Sequence, residues 1–140
     1  MKKFITSLAL AVITAGFAPR DLKAESLNQC FRGNAIMSGA YVASGTGTIA
    51  GVGPISTVGL IIYNGDGTGM AVSSTSSVNG TAMTSNNVPA TFTVNSDCTG
   101  TKTIGATHFN FVITPDGETI TWIVTNNGVT MMGTGVRLRQ

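Results

Sequence analysis

Residues 107–124 read THFNFVITPDGETITWIV. Phe109, Phe111 and Ile113 fall on alternate positions, with His108, Asn110 and Val112 between them. After Pro115-Asp116-Gly117 the alternation resumes with Ile120, Trp122 and Val124. A period of two with one apolar face is what a half-buried antiparallel strand requires, and Pro-Asp-Gly supplies turn geometry between two of them. The segment predicts a β-hairpin that buries phenylalanine, isoleucine and tryptophan on one face.

The same grammar extends in both directions. Phe92 and Val94 alternate with Thr91, Thr93 and Asn95, and Val136 and Leu138 with Arg137 and Arg139. Ile55 to Tyr63 is more continuously apolar, as for a strand covered on both faces. Turn clusters recur at Asn64-Gly65-Asp66-Gly67, Asn79-Gly80, Asn86-Asn87, Asp97 to Gly100 and Asn126-Asn127-Gly128. Gly, Asn and Asp tolerate the positive φ of tight hairpins. Strands are expected at about 35–44, 55–63, 69–77, 88–95, 101–107, 107–114, 118–126 and 129–139, the pair over 101–114 being two strands or one long bent one. A short helical turn is expected over Ser26–Arg32. The glycines at 45, 47, 51 and 53 read as a flexible loop between the first two strands, poised as a lid. The fold class is therefore all-β, an antiparallel up-and-down meander of seven or eight strands. It closes into a small barrel, which removes exposed sheet edges; a β-sandwich is the alternative.

The N-terminus has a different character. Lys2 and Lys3 precede an uncharged, mostly apolar run from Phe4 to Ala18, and a polar stretch ends at Leu22-Lys23-Ala24. That is the layout of a secretory signal peptide over 1–24, leaving 25–140 as a single secreted or periplasmic domain without an integral membrane span. Within 25–140, Arg32, Lys102, Arg137 and Arg139 stand against five acids, a net charge of −1. Such a balance offers no footprint for nucleic acid or an anionic membrane. Seven aromatic residues within 25–140 are too few for the two interfacial girdles of an outer-membrane barrel. In an exported chain, Cys30 and Cys98 most simply form one disulfide.

No catalytic or metal-binding constellation stands out, and no cofactor is implied. His108, the only histidine, falls on the face opposite the phenylalanines. Asn64 to Gly69 starts like a calcium loop, but Thr75 stands where an EF-hand places its bidentate Glu, so a hairpin turn is expected instead. One His and two Cys are too few for zinc.

The stretch Thr91-Phe92-Thr93-Val94-Asn95-Ser96-Asp97-Cys98-Thr99-Gly100 resembles a segment that recurs in a group of small secreted bacterial proteins of unknown function. Cys30 ahead of Gly39-Ala40-Tyr41, the Asp66 to Gly69 turn and the tail Gly135 to Gln140 agree with it, while Pro89-Ala90 departs from the usual Gly-Thr. The resemblance implies export, the Cys30–Cys98 bridge and a lipocalin-like or allene-oxide-cyclase-like barrel. It transfers no activity.

Two function classes follow. In the first, the barrel interior binds a small apolar molecule, with Met70, Phe92, Phe109, Phe111 and Trp122 as pocket candidates and Tyr41 as a polar handle. In the second, the Thr/Ser/Asn-rich outer faces serve a structural or surface-interaction role. An enzyme is the third and weakest reading. The sequence leaves the oligomeric state open.

Overall fold

The computed structural model describes residues 29–139; the expected signal peptide lies outside the described residues. Eight antiparallel strands form a closed barrel in sequence order: β1 (Ser38–Ile49), β2 (Gly53–Asn64), β3 (Thr68–Val78), β4 (Thr81–Val94), β5 (Thr99–Ile104), β6 (Thr107–Ile113), β7 (Thr119–Val124) and β8 (Val129–Arg137). β8 pairs back onto β1 from Tyr41↔Arg137 to Ile49↔Val129, so neither edge is left open. The barrel, not the sandwich, is the architecture. The 101–114 stretch is two strands joined at Gly105-Ala106, with Gly105 at φ +57.

Two expectations fail at glycine and asparagine. The stretch over Gly45 and Gly47 is not a lid: β1 runs through both, and only Ala50–Val52 turn the chain. Gly45 pairs with Gly133 across the closing seam. The Trp122 ring lies over this pair, and a Cβ on Gly45 would overlap Trp122 Cη2, while one on Gly133 would overlap the Ser44 carbonyl oxygen. These glycines serve close packing rather than mobility. Overpacking at such a point costs about 1–3 kcal/mol, so Gly133→Ala should lower the urea midpoint accordingly; an unchanged midpoint would show that the seam yields freely. Asn86-Asn87 is likewise not a turn. Asn87, at φ +54, lies inside the fourteen-residue β4 opposite Val72, and the β3–β4 register runs on unshifted past the two, from Ala71↔Val88 to Ser73↔Asn86.

The barrel has one closed and one open end. A 3-10 turn at Gly33–Ile36, just beyond the expected Ser26–Arg32, caps the closed end with Ile36 and Met37 buried. Asn34 Oδ1 there accepts the Val94 amide at 2.8 Å. The disulfide Cys30–Cys98, Cα–Cα 5.0 Å, fastens this N-terminal plug to the β4–β5 turn. Tyr41, Tyr63, Phe92, Phe111, Ile113 and Ile120 form the buried layer above the plug. Tyr63 packs edge-on against Tyr41 and Phe92, with ring centroids 5.4 and 5.2 Å away.

Candidate interior binding site

Above that aromatic layer the interior is not filled. A cavity of about 450 Å³ runs to the end of the barrel formed by the β1–β2, β3–β4, β5–β6 and β7–β8 turns. One wall is apolar, with Ile104, Phe109, Trp122, Val124, Val129 and Met131. The facing wall carries hydroxyls from Thr57, Ser74, Ser76 and Ser85. Ser76 Oγ donates to Thr57 Oγ1 at 3.0 Å, which occupies two of them. The strands dictate this division: β2 and β3 turn Thr57, Ser74 and Ser76 inward near the mouth, whereas β6–β8 turn large apolar groups inward at the same height.

Lys102 lies between the cavity and the aromatic layer. It is 4% exposed and the sole buried charged-type residue among the described residues. Its register partners are Phe92 on β4 and Phe109 on β6. Nζ donates to the Tyr63 hydroxyl at 3.3 Å and lies 4.9 Å from the Phe109 ring centroid and 5.5 Å from that of Trp122. No carboxylate lines the cavity. Desolvation without a counter-ion pushes the Lys102 ammonium down to about 7, and burial pushes the Tyr63 hydroxyl above its ordinary value. Trp122 Nε1 is also buried and has no hydrogen-bond partner. Trp122 Nε1 thus lacks an acceptor altogether, and the Lys102 ammonium has only a neutral hydroxyl, in an interior where buried polar groups are ordinarily satisfied.

The six pocket residues expected from sequence divide three ways. Phe109 and Trp122 line the cavity, packed edge-on with centroids 5.3 Å apart. Tyr41, Phe92 and Phe111 point inward but belong to the packed closed end. Tyr41 is not a handle for a ligand there, because its hydroxyl donates to the Gly117 carbonyl at 2.6 Å and accepts from Arg137. Met70 faces outward, 41% exposed, because its neighbours Gly69 and Ala71 take the inward positions of β3. Lys102 itself was not among the expected residues.

The remaining acid–base groups are committed elsewhere. His108 is on the exterior, where its Nδ1 lies 3.1 Å from Thr103 Oγ1. Asp66 Oδ1 accepts from the amide and hydroxyl of Thr68, and Asp97 Oδ1 does the same with Thr99. Asp116 accepts from the Thr114 hydroxyl and the Glu118 amide. These hydrogen bonds hold all three carboxyls below their ordinary pKa and use them to shape the closed-end turns. Among the described residues, no three His, Cys, Asp or Glu gather as a metal site, and no helix is long and apolar enough to cross a membrane.

A second depression, on the outside of β5–β8, is lined by residues such as Thr101, Asn110, Thr121, Ile123 and Met132 and is more open to solvent. It carries no charged side chain. Comparison with protein-family models, with curated proteins and with solved structures found no match to this chain.

Proposed function

We propose that this protein is an extracytoplasmic receptor for a small, mostly apolar molecule held inside the barrel. The observation that carries the reading is the interior cavity, open at one end and walled on one side by Ile, Phe, Trp, Val and Met. Its volume of about 450 Å³ falls in the range of ligand pockets. At about 30 Å³ per water-sized unit it accommodates roughly fifteen non-hydrogen atoms. The rim turns contain Ala50 to Val52, Asn79-Gly80, Gly105-Ala106 and Asn126 to Gly128, with no charged residue among them. An apolar molecule therefore meets no charge on its way in. The disulfide and the signal-like pattern of 1–24 support an oxidising compartment.

The test uses two serines on neighbouring positions of β3. Ser74 lines the cavity, whereas Ser73 is exposed on the outer face. Ser74→Phe should weaken binding of a fluorescent apolar probe such as 1-aminoanthracene by about tenfold or more, the equivalent of about 1.4 kcal/mol. Ser73→Phe should leave it unchanged. Equal effects of the two variants, or a wild type that takes up no probe, would sink the reading.

A second reading, docking through the outer wall, is favoured by one observation. Val42, Ile62, Met70 and Val136 are exposed on adjacent strands, where Ile62 pairs with Met70 and Val42 with Val136. Concentration-dependent association in sedimentation, unaffected by interior substitutions, would support that reading over the receptor.

A further inference from the structure

We propose that the molecule held in the barrel is a medium-chain carboxylic acid, seated with its carboxylate at the cavity floor against Lys102 and Trp122 and its chain toward the mouth. The inference rests on the receptor reading and specifies its ligand class.

The first support is an imbalance of donors and acceptors. The Lys102 ammonium has three donors, and its only acceptor is the Tyr63 hydroxyl at 3.3 Å. Trp122 Nε1 has none. Both residues line the same cavity, and Lys102 Nζ lies 5.5 Å from the Trp122 ring centroid. A group that satisfies two such donors must be rich in acceptors, and a carboxylate offers two oxygens with about four lone-pair sites. An alcohol offers a single oxygen and no charge.

The second support is charge placement. Lys102 is the only lysine of residues 25–140, yet it is inside the barrel and 4% exposed. Every other charged residue between 29 and 139 belongs to the plug, the closed-end turns or the adjoining end of β8 and the tail: Arg32, Asp66, Asp97, Asp116, Glu118, Arg137 and Arg139. Buried charges are ordinarily paired. The groups packed around Lys102 are Tyr63 from β2, Phe92 from β4, Phe109 from β6 and Trp122 from β7, and Tyr63 is the one titratable group among them. No element of the barrel supplies a counter-ion, so a bound acid does.

The third support is polarity along the axis. Lys102 follows Gly100 of the closed end and precedes Ile104 of the lining, so it marks the floor. Above it lie Val124, Val129 and Met131, suited to an alkyl chain. Desolvation favours the neutral amine in the empty barrel, and a bound carboxylate favours the ammonium. Binding of an acid therefore takes up a proton when the pH is above about 7, and binding of an alcohol does not.

The probes are decanoic acid and decan-1-ol, equal in chain length, read by the fluorescence of Trp122 and by calorimetry at pH 8 in buffers of different ionisation enthalpy. Wild type should bind decanoate at least about tenfold more tightly than decanol, with uptake of about one proton per acid bound. Lys102→Met should lose at least about tenfold in decanoate affinity and keep its decanol affinity. Equal binding of acid and alcohol with no effect of Lys102→Met would overturn the carboxylate inference and leave the receptor reading intact. A wild type that binds neither probe would remove both.

Discussion

Replacing Lys102 by methionine should stabilise the ligand-free barrel by several kcal/mol at neutral and acidic pH, and the gain should shrink as the pH rises. In the unfolded chain the amine holds its proton up to its ordinary value of 10.5, whereas in the barrel desolvation brings it down to about 7. Below pH 7 both states are protonated, and the folded state bears the whole cost of a buried, unpaired ammonium. Between about 7 and 10.5 the unfolded state binds more protons than the folded one. Wild-type stability therefore rises with pH in that window, at most by about 1.4 kcal/mol per pH unit. Methionine is of similar length, is deformable and carries no charge, so the variant lacks this slope. Tyr41 and Tyr63 are both held above their ordinary values by burial, so they destabilise the fold once the unfolded tyrosines begin to ionise near 10. Urea denaturation from about pH 6 to about pH 9.5 isolates the lysine. The two proteins should converge across it. Parallel profiles would show that the amine remains hydrated in the barrel.

That prediction depends on a residue the sequence half-reveals. The strand Thr99–Ile104 alternates Thr99, Thr101 and Thr103 with Gly100, Lys102 and Ile104. A threonine stripe of this kind faces solvent, which leaves Lys102 on the parity of the core. A lysine is so seldom fully buried that composition argues the other way, and only closure of the sheet, with Phe92 and Phe109 on either side, decides it. Parity was legible elsewhere too. Phe109, Phe111, Trp122 and Phe92 all point inward as their alternation requires. Their height along the barrel was not legible, because it depends on strand stagger, and stagger divides Phe109 and Trp122 from the packed layer of Phe92 and Phe111. Met70 shows how parity itself goes wrong. The apolar side chain suggested the interior, but Gly69 and Ala71 fill the inward positions because the Tyr63 ring crowds against Gly69. Glycines 45 and 133 resemble loop residues in sequence, and their role emerges only when β8 meets β1 under the Trp122 indole.

The disulfide should matter nearly as much as the lysine, with the opposite sign. It links positions 68 residues apart, and closing a loop of that size in the unfolded chain stabilises the fold by about 4 kcal/mol in the loop-entropy model. Its location adds a structural consequence. Cys30 is fully buried in the plug, its amide donates to the Ser96 carbonyl at 3.0 Å, and Cys98 ends the turn between β4 and β5. The bridge thus fastens the N-terminal segment across the closed end, over the layer of Tyr41, Tyr63 and Phe111. The double variant Cys30→Ala/Cys98→Ala avoids leaving a free thiol and should lower the stability by about 4 kcal/mol, with the urea m-value raised because the unfolded chain without its cross-link exposes more surface. The amides of Gly33 and Met37, which donate to Cys30 and Asn34, should lose hydrogen-exchange protection before those of β6 and β7, since the plug keeps few other ties to the barrel. The cavity lies beyond the aromatic layer from the plug, so probe binding by the folded double variant should be unchanged. A loss of less than about 1 kcal/mol, with the plug amides still protected, would show that Asn34, Ile36 and Met37 hold the closed end on their own, and that the bridge adds little beyond what packing already provides.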